Sequence, residues 1–300
     1  MNPPTVVGLG EILWDLLPSG PQLGGAPANF AYCSHLLGDR GIVASRVGTD
    51  QLGKSTRKAL KKAGISDQFL QSDDSQPTGT ARVQVDSAGQ PKFEITQPVA
   101  WDYLDWTKDW QHLAKSAGAV CFGSLAQRSE KSRTTILNFL SAAPRSAILM
   151  FDINLRQQFF SAEIVRQSLQ HANAMKLNHE EVPRVKQLLS VSANDDILFC
   201  RSLMERFDLK LICITRGANG SLLCDRHDVH EHAGYRVKVE NTVGAGDAFT
   251  AALVHEYLRK RTLAEMNDTA NRMGALVASH SDAMPALPAN GLDRALADLG

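Results

Sequence analysis

One stretch of the sequence places a carboxylate directly after a glycine-rich turn, at the start of a predicted long helix. The stretch is residues 241–247, NTVGAGD, and the helix is predicted over 246–259. Small residues let the backbone approach a ligand, and N–H groups at a helix start form an anion site. A carboxylate there repels phosphate, but Asp247 can take a proton from a hydroxyl that attacks a phosphoryl group. The alternative is an ordinary turn with an acid in the first helical turn. The small residues are Gly244, Ala245 and Gly246.

A second stretch matches the phosphate-binding P-loop of nucleotide hydrolases. Residues 48–55, GTDQLGKS, fit G-x-x-x-x-G-K-[ST], and the strand predicted over 147–152 ends in an aspartate, as a Walker B strand does. A phosphate cradle aims backbone N–H groups at anions, and Asp50 would place a carboxylate beside them. The pattern therefore favours a plain turn in which Asp50 caps the next helix, with the P-loop as an alternative.

Composition limits the classes of partner. The 300 residues contain 32 Lys plus Arg and 32 Asp plus Glu, so no bulk field selects nucleic acid or an anionic membrane. No apolar run reaches the roughly 18 residues that span a bilayer. The five cysteines include no C-x-x-C and four of them lie in apolar segments, which predicts reduced, buried thiols in a cytoplasmic protein.

The elements that would position these residues alternate between strand and helix. Apolar strands are predicted at 119–122, 147–152, 174–177 and 211–215, and helices separate them. Strands that are apolar on both faces indicate a parallel sheet covered by helices on each side. Two β segments, at about 12–24 and 79–97, cannot join such a sheet through short hairpins. We therefore predict one α/β domain over 1–300 with a small β lid inserted in it.

Six segments together carry a family resemblance. Residues 241–249, NTVGAGDAF, and 24–29, GGAPAN, are similar to the two signatures of the PfkB (ribokinase-like) carbohydrate kinases. Four shorter segments follow the family's order, and the resemblance runs from about Val6 to Pro288. They are Gly48-x-Asp50-x-x-Gly53, Asp152-x-Asn154-x-Arg156, Asn178-x-x-Glu181 and Thr215-x-Gly217-x-x-Gly220.

The resemblance implies a ribokinase-like fold, with a Rossmann-type three-layer core and a β-sheet lid. It also implies ATP-dependent phosphorylation of a sugar's primary hydroxyl, with Asp247 as general base and an anion hole of backbone amides. Residues 10–18, GEILWDLLP, look most like fructokinases, so D-fructose is the expected substrate. Kinases of 2-keto-3-deoxygluconate, ribose or nucleosides stay open within the family. A P-loop NTPase and a non-catalytic sugar-binding protein are the alternatives outside it.

The same resemblance assigns roles to individual residues. Sugar hydroxyls would be held by Asp15, Gly25 and Asn29. Arg156 would reach the transferred phosphoryl group or the sugar, although as a bare residue it fits a surface salt bridge. Asn178 and Glu181, which at i and i+3 would share one helical face, would hold Mg²⁺ through its waters. The nucleotide would lie against Thr215, Gly217 and Gly220.

Three positions depart from the family pattern. Asn241 stands where Asp is usual, and Arg216 replaces an apolar residue. Asp282 replaces a glycine in a loop that borders the nucleotide and, in many members, a K⁺ site built of carbonyl groups. Use of K⁺ is therefore open, whereas ATP and Mg²⁺ are expected. The expected partners are a small sugar and ATP, without nucleic acid or membrane, and the family allows a homodimer through the lid.

Overall fold

A nine-stranded sheet forms the centre of the computed structural model, which describes residues 3–17, 20–85, 91–286 and 295. The strands are β1 (Thr5–Leu9), β2 (Leu13–Leu17), β3 (Gly20–Gly24), β4 (Arg40–Gly48), β5 (Leu70–Asp73), β6 (Gly79–Val85), β7 (Pro91–Ile95), β8 (Ala119–Phe122), β9 (Ile148–Asp152), β10 (Ala174–Asn178), β11 (Leu211–Thr215), β12 (Ser221–Asp225) and β13 (Val229–His232). The helices are α1 (Ala26–Leu36), α2 (Gln51–Lys62), α3 (Lys108–Ser116), α4 (Glu130–Ala142), α5 (Ala162–His171), α6 (Glu181–Leu189), α7 (Asp196–Phe207), α8 (Ala245–Leu258) and α9 (Leu263–Ala278).

The large sheet is mixed, with a parallel centre. Its order is β13-β12-β11-β10-β9-β8-β1-β4-β5, and every pair from β11 to β5 is parallel, while β12 runs antiparallel to both of its neighbours. Adjacent residues on a strand enter opposite cores, as Val6 and Val7 do. Helices α1, α8 and α9 cover one face and α3 to α7 cover the other. The predicted three-layer α/β fold is confirmed.

A smaller, separate sheet is built from the two β segments that could not join the core. Its order is β3-β2-β6-β7, with β2 parallel to β6 and antiparallel to β3, and with β6 and β7 paired as a hairpin. We call these four strands the lid sheet. The turn predicted at 86–89 between the hairpin strands lies outside the described residues.

The parallel strands deliver the candidate residues to one edge. Glu11 follows β1, Asp152 and Asn178 end β9 and β10, and Thr215 ends β11. Ligands of open α/β sheets bind outside these carboxyl ends. In the part of the chain that the structure describes, no helix is long and apolar enough to cross a membrane.

Candidate active site

The glycine turn before α8 has the geometry of a helix-start anion site. Gly244 adopts a left-handed backbone, with φ 80°, and a Cβ there would lie 2.6 Å from that of Ala283. Both facts require glycine. Gly246 and Asp247 lie in the first helical turn, where amides lack helical acceptors. The amide of Ala245 instead donates to the carbonyl of Thr242 at 3.3 Å, so one of the three predicted anion-hole amides already has a partner.

Asp247 is held beside this turn by a residue 218 positions away. The Nδ2 of Asn29, on α1, donates to its Oδ2 at 2.8 Å. Burial raises the pKa of Asp247 to about 6, and the charge of Asp152 adds to the rise. Lys176, the Asn29 hydrogen bond and Arg156 oppose it. A carboxylate with this pKa is mostly ionised at neutral pH and accepts a proton more readily than an ordinary aspartate.

An ion pair that the sequence analysis did not assign lies beneath the turn. Asp152 and Lys176 are register partners on β9 and β10, and the Lys176 Nζ lies 3.1 Å from both carboxylate oxygens. Thr250 donates to Asp152 Oδ2 at 2.8 Å. The sequence suggested Asp152 as the end of a Walker B-like strand and as part of a family motif, whereas Lys176 was missed. The available signal was a charged residue inside an otherwise apolar strand, AMKL.

Two of the three predicted sugar contacts are polar side chains, one on the lid sheet and one on the first helix of the core. Asp15 is half-buried on β2, and burial raises its pKa while Arg156 lowers it. Gly24 leaves room for this carboxylate, because a Cβ there would lie 2.7 Å from its Oδ2. Asn29 Oδ1 is buried and has no hydrogen-bond partner within the described residues. The buried Asn29 oxygen and the half-buried Asp15 carboxylate are both acceptors suited to sugar hydroxyl donors.

Gly25, the third predicted sugar contact, is fixed by backbone geometry. Its φ is 106°, and a Cβ there would lie 2.8 Å from the carbonyl oxygen of Glu11. Gly25 therefore lets the start of α1 pack against the chain after β1.

Glu11 is a site residue that the sequence analysis quoted without assigning a role. Its side chain is 2% exposed, and Oε2 has no hydrogen-bond partner among the described residues. Burial raises its pKa to about 7, Asp247 adds to the rise, and Arg156 and Arg128 oppose it. A buried acceptor without a donor beside the base indicates a place for a ligand hydroxyl or a water.

Arg156 contributes positive charge to the site from an exposed loop. Its Nη1 donates to the carbonyl of Leu155 at 3.2 Å, and it forms no ion pair with any described residue, so the salt-bridge alternative is wrong. The residues around it, Asn154 and Gln157, have left-handed backbones with φ 45° and 49°. Burial raises the pKa values of Glu11, Asp15 and Asp247, and the positive charge of Arg156 opposes the rise in all three.

Asn178 and Glu181 are brought together, but not as two residues of one helix. Asn178 is the last residue of β10 and Glu181 the first of α6, so the prediction of a shared helical face is wrong. The i, i+3 spacing instead closes a reciprocal pair. Glu181 Oε2 accepts from the Asn178 amide and Asn178 Oδ1 accepts from the Glu181 amide, each at 2.9 Å. Glu181 Oε1 also accepts from the Leu155 amide at 2.7 Å.

This pair fits a magnesium ion that keeps its waters. Burial raises the pKa of Glu181, the two backbone hydrogen bonds and Lys176 oppose the rise, and each carboxylate oxygen keeps a lone pair for a metal-bound water. Among the described residues there is no cluster of three or more His, Cys, Asp or Glu side chains suited to a metal. Asn178 and Glu181 alone do not supply enough oxygen ligands to enclose the ion directly.

The three residues predicted to contact nucleotide form the turn after β11. Thr215 ends the strand, and Gly217 has φ 58° with open space where a Cβ would point. Gly220 serves packing instead, because a Cβ there would lie 1.8 Å from the carbonyl oxygen of His232. The unusual Arg216 pairs with Asp196 and Glu231, at 3.2 and 2.8 Å.

The P-loop match is an ordinary helix start. The Asp50 carboxylate accepts from the Gly53 amide at 2.7 Å and from the Thr78 amide at 2.7 Å. These bonds hold the pKa of Asp50 below its usual value against the effect of burial. Asp50 thus caps α2, as the capping interpretation predicted, and its carboxylate accepts from an amide that a P-loop would offer to phosphate.

The loop predicted to border a K⁺ site is closed by a hydrogen bond. Asn241 Oδ1 accepts from the Val243 amide at 3.0 Å, which orients its Nδ2 to donate to the Ser281 carbonyl at 2.8 Å. The Ala278 carbonyl accepts from the amides of Glu240 and Asn241. The Ala278 and Ser281 carbonyls therefore already accept hydrogen bonds, and position 241 carries an amide in place of a carboxylate.

Comparison with known proteins identifies relatives over almost the whole chain. The model of the pfkB family carbohydrate kinases matches residues 21–290. The chain is 31% identical to a fructokinase of Escherichia coli, covering 93% of this chain and 95% of that protein. Vibrio cholerae fructokinase, solved with fructose, ADP and calcium, superposes with a TM-score of 0.82 at 25% identity, covering 99% and 98% of the two chains. Xylella fastidiosa fructokinase with ATP shares the fold, with a TM-score of 0.84 at 21% identity and 98% of each chain covered.

Proposed function

Because this chain belongs to the pfkB family of carbohydrate kinases, we propose that it phosphorylates a primary hydroxyl of a neutral sugar, D-fructose, with ATP. The observation that carries the proposal is the hydrogen bond between Asn29 and Asp247 at the start of α8. It joins a residue suited to hold sugar hydroxyls to a carboxylate suited to act as base. The glycine turn that would receive the phosphoryl group is adjacent in sequence.

In the proposed reaction Asp247 removes the proton from the attacking hydroxyl. With a pKa of about 6 it is ionised in most molecules at neutral pH, yet it is basic enough to share the proton in the transition state. The new bond forms between the hydroxyl oxygen and the γ-phosphorus of ATP, and ADP leaves. The first-turn amides of Gly246 and Asp247, which have no helical acceptor among the described residues, stabilise the charge on the transferring group, and Arg156 adds a cation.

A magnesium ion held through its waters by Asn178 and Glu181 would neutralise charge on the ATP phosphates. The buried Glu181 carboxylate is the protein's own contribution there. Its two backbone hydrogen bonds fix its orientation relative to the loop that carries Arg156. ATP itself would bind against the turn of Thr215 and Gly217, where the open space above Gly217 leaves room for a ligand.

The charge of the sugar pocket favours a neutral substrate over a sugar acid. Glu11, Asp15 and Asp247 contribute carboxylates, whereas Arg156 is the exposed cation that acts on all three. A sugar carboxylate would add a like charge to this group, which costs binding free energy. The fructose seen in the V. cholerae relative and the name of the E. coli relative support the ketose. A 2-keto-3-deoxygluconate kinase is the second candidate.

Three further expectations belong to the proposal. The enzyme is expected to work without K⁺. A double mutant of V. cholerae fructokinase was solved with fructose, ADP and potassium; it superposes with a TM-score of 0.82 at 25% identity, covering 99% and 98% of the two chains. The lid sheet would serve as a dimer interface. The location would be cytoplasmic, for which the five buried free thiols are the support.

The test is a coupled assay of ADP release with ATP, Mg²⁺ and a panel of acceptors. The panel contains D-fructose, D-glucose, D-ribose, 2-keto-3-deoxygluconate and adenosine. We expect kcat/KM to be highest for fructose by about tenfold or more, since a site built for particular hydroxyls discriminates strongly. A preference for the sugar acid would replace the substrate assignment, and absence of turnover with every acceptor would refute the catalytic one.

A further inference from the structure

A buried ion pair lies directly beneath the first turn of α8. The side chains of Asp152 and Lys176 are 5% and 9% exposed, and two hydrogen bonds of 3.1 Å join them. Burial alone would lower the pKa of Lys176, but the neighbouring carboxylates, Asp152 first, raise it overall, so Lys176 keeps its proton. Two buried charges cost desolvation free energy that their attraction only partly offsets, and apolar residues would pack as well. Stability alone therefore does not account for the pair.

The pair contacts the backbone of the anion turn on two sides. A Cβ on Gly246 would lie 3.0 Å from the Lys176 Nζ, so the ammonium group packs against this glycine. The Thr250 hydroxyl lies 2.8 Å from Asp152 Oδ2 and 2.9 Å from the Gly246 carbonyl oxygen. The carboxylate and the ammonium group thus both support the residue whose amide opens towards the phosphoryl site.

After burial, the charges of this pair have the largest effects on the pKa of the neighbouring base, Asp247. The Asp152 carboxylate disfavours ionisation of Asp247, and the Lys176 ammonium favours it. The two effects oppose each other, so loss of either partner leaves an uncompensated charge next to Asp247. The other titratable groups that face Asp247 are Arg156 after β9, Glu11 after β1, Cys33 on α1 and Cys121 on β8.

We propose that Lys176 and Asp152 act as a positioning pair for phosphoryl transfer, holding Gly246 in place and balancing the charge around Asp247. This inference rests on the proposed function, because it takes Asp247 as the general base. Neither residue needs to touch a substrate. Their effect reaches the reaction through the anion turn and through the protonation of Asp247.

The test is the pH profile of kcat/KM in single and double variants. Lys176→Met leaves a lone carboxylate beside Asp247 and moves the acid limb up by about one pH unit, whereas Asp152→Asn leaves a lone ammonium and moves it down by about one. The double variant Lys176→Met/Asp152→Asn has no net change in charge and returns the limb to its wild-type position. In all three, kcat falls by about tenfold or more, because Gly246 loses at least part of its support.

Thr250→Val is the matched control for geometry without charge. It removes the link between Asp152 and Gly246, and we expect a lower kcat with an unmoved acid limb. Single variants whose limbs stay in place, or move in the same direction, would overturn the proposal. If Lys176→Met does not fold, as judged by thermal melting, the Asp152→Asn shift and the Thr250→Val result decide the matter. An Asp247→Asn enzyme that keeps its rate would refute the proposed function instead, which separates the two failures.

Discussion

The hydrogen bond from Asn29 to Asp247 makes a quantitative prediction about basicity. Asn29→Leu removes the donor at 2.8 Å from the Asp247 Oδ2 while keeping the side-chain size similar. A hydrogen bond to a charged group contributes about 1.5 kcal/mol or more, which corresponds to about one pKa unit. The pKa of Asp247, about 6 in the wild type, should therefore rise to about 7.

The assay is kcat/KM for the sugar from about pH 5 to pH 9 at saturating ATP. Well below both pKa values, the variant's loss from protonation alone is about tenfold. At pH 7 it is about twofold, because roughly half of the Asp247 carboxylates are protonated in the variant against a tenth in the wild type. At pH 9 this part disappears. Any loss that persists there measures the contact of Asn29 with the sugar.

A matched control separates the two roles of Asn29. Asp15→Asn changes a predicted sugar contact that does not bond Asp247, so it should lower the whole profile without moving the acid limb. An Asn29→Leu enzyme with the wild-type limb would refute the reasoning, because the hydrogen bond would then have no influence on the base.

Three further predictions follow from buried or bonded side chains. Burial raises the pKa of Glu11 from 4.5 to about 7, so its contribution to stability is full below pH 4.5 and is lost as the pH rises from there through 7. Glu11→Gln should therefore raise the free energy of unfolding by about 3 kcal/mol at pH 8 and by almost nothing near pH 4. Urea denaturation at the two pH values measures this difference. Wild-type turnover should be equal in K⁺, Na⁺ and tetramethylammonium salts. Asn241→Asp sets a carboxylate against the Ser281 carbonyl, and this variant should become K⁺-activated. A K⁺ requirement in the wild type would contradict the closed loop. Glu181→Gln should raise the Mg²⁺ concentration that gives half-maximal turnover by about tenfold or more. An unchanged Mg²⁺ titration would show that Glu181 is not part of the metal site.

The central strands of the fold were predictable because they are apolar on both faces. Residues 119–122 and 211–215 form β8 and β11 with the predicted bounds, since buried parallel strands leave an uninterrupted apolar run. Strand β5, with the sequence LQSD, was missed because it lies at the sheet edge and has little apolar pattern. Helix α3 was also missed, although Trp110 and Leu113 form a buried stripe at helical spacing.

The candidate site was predictable as a set of motifs but not as a geometry. The glycine turn and Asp247 were identified from local spacing, because a helix-start anion site is a local structure. The contact of Asp247 with Asn29 joins residues 218 positions apart and exists only through the packing of α1 on α8. Lys176 was missed for the same reason, since its partner Asp152 lies on a neighbouring strand. Spacing alone also could not tell that Asn178 ends a strand before α6 begins.

The most direct test of the central claim is the turnover of Asp247→Asn with ATP and D-fructose, measured beside Lys54→Ala. If Asp247 is the general base, the first variant loses about 10²–10⁴-fold in kcat while its melting temperature stays close to that of the wild type. Lys54 is the lysine of the P-loop match, and its replacement should have little effect on turnover, because Asp50 makes this segment an ordinary capped helix start. Near wild-type turnover by Asp247→Asn, with loss of activity in Lys54→Ala, would contradict the account.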